Sequence, residues 1–203
     1  PLLDAVTARA AQAAAANTLV LEGRHRTGHN TDVPGAVAAL RERYDGPLDR
    51  AVILGGGATA TSTMLALADL GCADVTLMVR DPTRAAEVLA AAGRHPRRPT
   101  VTVRHLTDGP VDADVLVSTI PASAQDDAAL ALAEPAGVVF DVVYDPWPTP
   151  MARFADATGR VLVAGLDLLV HQAVLQVELM TGASGVPVDL LRAAGREALA
   201  ARG

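Results

Sequence analysis

The sequence predicts an α/β fold centred on a doubly wound parallel sheet, and three observations carry that expectation. From Arg50 onward, short apolar runs rich in β-branched residues alternate with alanine-rich runs of helical spacing. Half of the 203 residues are apolar, enough to bury a sizeable core. The first β run, Ala51-Val-Ile-Leu54, breaks at once into Gly55-Gly-Gly-Ala-Thr-Ala60, a glycine-rich turn that opens a helix.

Taken in order, residues 2–16 are alanine-rich without an internal glycine or proline, and predict a helix. Residues 17–21 read as a strand, 22–24 as a turn and 25–28 as a short returning strand. Residues 33–43 are apolar at Val33, Ala36, Val37 and Leu40, a helical spacing that leaves Pro34 in the first turn and Asp32 as the N-cap. Strands are then expected at 50–54, 74–79, 100–105, 114–118, 137–141 and 160–163, with helices at 58–70, 83–92, 125–132 and 149–157. Arg94-His-Pro-Arg-Arg-Pro99 interrupts both periodicities and predicts a surface loop. Two consecutive helices, 165–180 and 188–202, close the chain and are expected to pack on something other than the sheet.

Composition excludes several classes of function. The net charge of −6 comes without a basic block that could track a phosphate backbone, so no nucleic-acid partner is expected. No apolar stretch reaches the ~20 residues a membrane span needs, and the first residues are not a signal sequence, so a cytoplasmic location is expected. The single cysteine, Cys72, falls where a helix gives way to a strand and reads as a small buried residue. All 17 basic residues are arginine.

The glycine-rich turn stands between a strand and a helix, the context in which such a turn binds a dinucleotide. Gly55 allows the tight turn and Gly57 a close backbone approach to a pyrophosphate, with Ala60 in place of a third glycine. A plain β-turn-α junction is the structural alternative. The segment some twenty residues on is Arg80-Asp-Pro-Thr-Arg84, whose arginines suit a ribose 2′-phosphate and therefore NADP rather than NAD. Asp81 opposes that preference, and both arginines could equally be solvated residues at a helix start. Asp32 is explained by capping alone, but a hairpin would bring Asn17 toward it, offering an amide and a carboxylate to a hydroxylated small molecule. Tyr144 lies just past a strand's carboxyl end, the edge at which open α/β sheets bind ligands.

Asn17-Thr18, Gly28-x-Asn30-Thr31-Asp32, Gly55-x-Gly57, Arg80 with Thr83 and Arg84, Ser118-Thr-Ile-Pro121, Asp141-x-x-Tyr144-x-Pro146 and Gly165-Leu166 through Gln172 stand in the order found in shikimate dehydrogenases. The sequence resembles that family from about residue 2 to residue 200. The resemblance implies a Rossmann-type sheet and NADPH-dependent reduction of 3-dehydroshikimate to shikimate, a step of aromatic amino-acid biosynthesis. It implies that Asn17, Asp32 and Gln172 bind substrate hydroxyls, that Asp32 is half of a catalytic Lys–Asp pair, and that Tyr144 borders the substrate. On the cofactor side it implies Gly55, Gly56, Gly57 and Ala58 at the pyrophosphate, Arg80, Thr83 and Arg84 around the 2′-phosphate, and Thr119 and Gly165 toward the nicotinamide. No metal is implied.

The sequence also departs from the family. Ala58 stands where the glycine-rich turn commonly carries another glycine, Pro82 is inserted in the usual Asn-Arg-Thr segment, and Leu168 replaces a methionine of similar volume. The family's N-terminal α/β segment, with its Ser-x-Ser clamp and catalytic lysine, has no counterpart in these residues, and the partner of Asp32 with it. The expected organisation is therefore 1–31 as the end of a substrate domain, 32–164 as the NADP-binding domain and 165–203 as helices returning to the substrate domain. This chain alone is expected to bind NADP(H) with little turnover, and to pair with a second copy or with the N-terminal segment through apolar faces of the two closing helices. The alternatives are a quinate/shikimate dehydrogenase of broader cofactor use, which an acid in place of Arg80 would favour, and a non-catalytic NADP-binding module.

Overall fold

Six parallel strands form the main sheet in the order β6-β5-β4-β7-β8-β9 in the computed structural model, which describes residues 2–201. They are β4 (Arg50–Leu54), β5 (Asp74–Val79), β6 (Thr100–His105), β7 (Val115–Ser118), β8 (Val138–Asp141) and β9 (Val161–Ala164). Counted from β4 this is the order 3-2-1-4-5-6 of a doubly wound dinucleotide-binding sheet, which reverses direction between β4 and β7. Alternation along the strands sends side chains to two cores. Ala51, Ile53, Leu77 and Phe140 face the core shared with α2 (Asp32–Arg43), α3 (Ala58–Leu70) and α4 (Ala86–Arg94). Val52, Leu54, Met78 and Val139 face the other, which holds Met151 and Ala155 of α6 (Pro150–Ala157).

A second, three-stranded sheet precedes it, with β1 (Ala5–Val6) parallel to β3 (His25–His29) and β3 antiparallel to β2 (Thr18–Glu22). The expected helix over 2–16 is therefore corrected: β1 comes first, and α1 spans only Ala8–Ala13. Helix propensity loses here to two local devices. Thr7 Oγ1 accepts from Ala10 N and starts the helix late, and Ala14 turns left-handed at φ 51° and ends it. Gly28 makes room for the strand pairing, because a Cβ there would stand 2.7 Å from Leu3 Cδ1.

The N-cap of α2 is Thr31, and Asp32 is the first helical residue. The amide of Asn30 performs the capping that was expected of Asp32, its Oδ1 accepting from Val33 N at 3.1 Å while its Nδ2 donates to Ala15 O at 3.1 Å. The expected helix at 83–92 divides into a 3-10 turn, Pro82–Ala85, and α4. That expected at 125–132 shortens to α5 (Asp127–Ala131), capped by Asp126, which leaves Gln125 outside it. His95, expected on a surface loop, is buried against Asp69 at 3.0 Å.

The closing helices are α7 (Gly165–Thr181) and α8 (Val188–Ala200), and Arg202, the expected helix end, lies outside the described residues. α7 packs chiefly along α2 and α8 along α7, although α7 also touches β9 and sends Leu168 into the first core. Cys72 is buried as expected, and burial pushes its thiol up to about 12.

Candidate functional site

The start of α3 lies at the reversal between β4 and β7, where the carboxyl ends of two strands diverge. Gly55, Gly56, Gly57, Arg80, Arg84 and Thr119 line a cavity of about 580 Å³ at this point. The three glycines are there for different reasons. Gly55 has φ +102°, and a Cβ on it would stand 2.5 Å from Thr119 Oγ1. A Cβ on Gly56 would stand 2.4 Å from Arg84 O, so this glycine lets the 3-10 turn lie against the loop. A Cβ on Gly57 would meet nothing within 4 Å. Its bare backbone faces open space.

Thr7, Asp126 and Thr149 cap their helices through side chains, whereas α3 begins at Gly57 with no side-chain cap. The first N–H groups of a thirteen-residue helix thus stay available at its positive end, an arrangement suited to an anion. Arg80 and Arg84 are exposed, and among the described residues neither guanidinium takes part in a hydrogen bond or ion pair. Asp81, expected to oppose a phosphate, is occupied otherwise. Its carboxylate accepts from Thr83 N at 2.9 Å, and that bond, with a smaller pull from the Arg84 charge, holds its carboxyl below the usual range. Thr83 and Ala58 line a neighbouring cavity of about 400 Å³ that shares Gly56, Gly57 and Arg84. Thr119 Oγ1 donates to Leu54 O at 2.7 Å.

A polar cluster forms where β2, α2 and α7 meet. Asn17 Oδ1 accepts from Thr31 N at 2.9 Å, which fixes the amide so that Nδ2 faces Asp32 and Gln172. From there it donates to Asp32 Oδ1 at 2.7 Å, to Thr31 Oγ1 at 2.9 Å and to Gln172 Oε1 at 3.4 Å. Two N–H bonds cannot serve three acceptors at full strength, and Asp32 Oδ2 has no donor among the described residues. The cluster therefore has spare acceptors, which a ligand with several hydroxyl groups would satisfy. Burial pushes the Asp32 carboxyl above its usual range, against the pull of the Asn17 amide. Gly35 permits this junction, since a Cβ there would stand 2.9 Å from Gln172 N.

The structure thus brings together Asn17, Asp32 and Gln172 in one cluster, and Gly55, Gly56, Gly57, Arg80, Arg84 and Thr119 around one cavity, with Ala58 and Thr83 adjoining it. Tyr144 stands apart from both, exposed on a cavity of about 610 Å³ with Trp147, Arg43 and Arg196. Gly165 is buried at the head of α7, where a Cβ would stand 2.4 Å from Val142 O. Close packing accounts for that glycine. Sequence reasoning did not single out Gln125, whose buried amide joins two loops beside the cavity; a lone polar residue before a helix cap gives no pattern to find it by.

The profile of the Shikimate 5'-dehydrogenase C-terminal domain matches residues 165–194. The shikimate dehydrogenase (NADP(+)) of Desulfitobacterium hafniense is 34% identical over 98% of this chain and 74% of its own length. The chain belongs to the shikimate dehydrogenase family. The crystal structure of the Mycobacterium tuberculosis shikimate dehydrogenase superposes with a TM-score of 0.83 at 36% identity, covering 96% of this chain and 72% of that one. A quinate dehydrogenase from Corynebacterium glutamicum, solved with NAD, gives 0.84 at 28% identity over 97% and 73%. Membership in the shikimate dehydrogenase family accounts for the glycine-rich turn, the 3-2-1-4-5-6 sheet and the order of the motifs together. Among the described residues no helix is long and apolar enough to cross a membrane.

Proposed function

We propose that the protein is an NADP-dependent shikimate dehydrogenase, interconverting shikimate and 3-dehydroshikimate. The observation that carries this reading is the acceptor-rich cluster of Asn17, just before β2, Asp32 of α2 and Gln172 of α7, in a chain that also holds a cavity suited to a dinucleotide.

The residues fit the cofactor. The open backbone at Gly57 and the first N–H groups of α3 would take the pyrophosphate, with Gly55, Gly56 and Ala58 forming the turn. Arg80, Thr83 and Arg84 would surround the 2′-phosphate, and two arginines with no ion-pair partner among the described residues favour NADP over NAD. Thr119 and Gly165 would border the nicotinamide ring. NADPH supplies the hydride. The chain's own residues orient the acceptor: Asn17, Gln172 and Asp32 would hold substrate hydroxyls, with Asp32 at the reacting oxygen as half of a Lys–Asp pair. The amine that completes a Lys–Asp pair is not among these 203 residues, all of whose basic side chains are arginine. Tyr144 would reach the substrate from the 142–149 loop.

On this reading 1–31 and 165–203 serve the substrate and 32–164 the cofactor, which the two separate sheets support. Leu19, Leu21 and Val6 expose apolar side chains on the smaller sheet, which supports pairing with a second copy or with the family's N-terminal segment. A cytoplasmic location suits such an enzyme. The quinate reading fits the same geometry but gains nothing from it, since Arg80 and Arg84 suit the phosphate-bearing dinucleotide.

The test is steady-state oxidation of shikimate with NADP+ and with NAD+, alongside direct titration of NADP+ binding. Shikimate-dependent reduction of NADP+ is expected to exceed that of NAD+. Binding of neither dinucleotide would overturn the proposal, and tight NADP+ binding with no turnover of shikimate or quinate, even with the family's lysine-bearing segment supplied, would favour the non-catalytic module.

A further inference from the structure

Two loops leave the carboxyl edge of the main sheet beside the reversal point, 119–121 after β7 and 142–149 after β8. The first lines the dinucleotide cavity through Thr119 and Ile120. The second carries Tyr144 and Trp147, and its backbone at Val142 abuts Gly165 at the head of α7.

One buried carboxylate joins them. Asp141 is 0% exposed, Thr149 1% and Gln125 3%. Thr149 Oγ1 donates to Asp141 Oδ2 at 2.5 Å, and Val143 N donates to Oδ1 at 3.3 Å, so the carboxylate grips the second loop at both ends. Gln125 Nε2 donates to the two carboxylate oxygens at 3.2 and 3.1 Å, and lies 3.2 Å from Ser118 Oγ and 3.5 Å from Ile120 O on the first loop. Its Oε1 accepts from Met151 N at 3.0 Å.

Burial alone does not call for such a group. A carboxylate this deep is costly unless its partners are complete, and an apolar residue would fill the space at less cost. What a leucine could not do is hold both loop ends and the neighbouring loop in one directional arrangement. We infer that Asp141 and Gln125 are positioning residues for the dinucleotide site, clamping loops 119–121 and 142–149 in a fixed relation at the reversal point. This deepens the function proposed above and rests on it.

The only tryptophan of the chain, Trp147, sits in the clamped loop and reports on it. The experiment compares wild type with Gln125→Met, which keeps the volume, with Thr149→Val, which keeps the shape but gives up the cap of α6 along with the bond to Asp141, and with Thr149→Ser, which keeps the hydroxyl. NADP+ affinity by calorimetry, acrylamide quenching of Trp147 and thermal unfolding are measured for each. Gln125→Met and Thr149→Val are expected to weaken NADP+ binding about tenfold and to raise Trp147 quenching well below the unfolding midpoint, and Thr149→Ser to restore both. Folded variants with wild-type affinity and quenching, whatever their midpoints, would overturn the inference and leave the pair a stabilising role only. Should Gln125→Met fail to fold, the two Thr149 variants decide. A wild type that binds no NADP+ would overturn the proposed function instead, and the quenching comparison would still decide whether the clamp holds the loop.

Discussion

Asn17 Nδ2 donates to Asp32 Oδ1 at 2.7 Å, although Asn17 precedes β2 and Asp32 opens α2, fifteen positions on. Asn30 takes over the capping of α2, so the Asp32 carboxylate is left without a structural duty of its own. Burial raises its pKa, which means the folded state holds the proton more tightly than the unfolded chain does. The stability associated with the protonated form is then lost as pH rises through that raised value, and the ionised carboxylate is a liability at neutral pH. Asp32→Asn is therefore expected to raise the thermal midpoint at pH 7 and to lose that advantage below about pH 4. Turnover is expected to fall by about 10² to 10⁴ in the same variant. Thermal scans across pH, paired with shikimate oxidation rates, check both halves; a lower midpoint at pH 7 would mean the carboxylate stabilises the fold.

Gly56 and Gly57 are neighbours with opposite expected responses to the same substitution. A Cβ on Gly56 meets Arg84 O at 2.4 Å, a backbone atom that cannot swing away, whereas Gly57 has φ −93° and open space around it. Gly56→Ala is expected to unfold at a lower denaturant concentration, with a loss of about 1–3 kcal/mol from overpacking. Gly57→Ala is expected to match wild-type stability while NADP+ binding weakens at least tenfold, because the added methyl occupies the approach to the backbone. Urea titrations and NADP+ binding of the two variants separate these outcomes.

Arg80 and Arg84 supply the discrimination between dinucleotides on the present reading. A charge-assisted hydrogen bond contributes about 1.5–3 kcal/mol, roughly ten- to a hundredfold in affinity. Arg84→Ala is expected to weaken NADP+ binding by that factor and to leave NAD+ binding within about twofold. An equal loss for both dinucleotides would show that Arg84 meets the pyrophosphate and not the 2′-phosphate.

The main sheet was legible in the sequence because its signals agree. β4, α3, β5 and β6 run over the expected residues, each strand a β-branched run bounded by a turn and α3 ended by Gly71. The misreadings share one cause, competition from short-range polar groups that propensity does not weigh. Thr7 delays α1, Asn30 displaces Asp32 as cap of α2, and Asp126 moves the start of α5. At the candidate site the glycine-rich turn was readable from its strand-turn-helix context. The convergence of Asn17, Asp32 and Gln172 depends on how α7 packs on α2, 155 positions beyond Asn17, which no local pattern encodes. Tyr144 lines a separate cavity with Trp147 on the 142–149 loop, a placement no local pattern encodes.

Cys72 provides a simple probe of global opening. Its thiol, pushed up to about 12 by burial, donates to Asp49 O at 3.3 Å and Asp74 O at 3.4 Å. The native protein is expected to resist an aromatic disulfide reagent at pH 8, where an ordinary thiol reacts readily, and to release one equivalent of chromophore on unfolding. Rapid labelling of the native protein would show that the α3–β5 junction opens locally.

The attachment of α8 turns on Asp167, which lies between two arginines. Arg43 donates to it at 3.1 and 2.8 Å, and Arg192 Nε stands 3.6 Å away, while Arg192 Nη2 pairs with Glu42 at 2.6 Å and His171 Nε2 donates to the same carboxylate at 2.5 Å. Burial works against ionisation of Glu42, but His171 and Arg192 outweigh it and hold the carboxyl below its usual range. Stability from this ion pair is therefore present above the unfolded value and is lost as pH falls through the lower, folded one. Glu42 is about one-third exposed, with a side-chain accessibility of 32%, so Glu42→Gln is expected to cost only about 1 kcal/mol at pH 7 and progressively less as pH falls below the usual glutamate range. Asp167, at 4%, is a different case, because Arg43→Met leaves a buried carboxylate with the Ala164 N–H at 3.1 Å and, as its one remaining cation, the more distant Arg192. That change is expected to approach the ~3–5 kcal/mol of a broken buried pair, read from urea unfolding at pH 7. If Arg43→Met cost no more than Glu42→Gln, Arg192 alone would suffice for Asp167, and the clasp on α8 would run through Arg192.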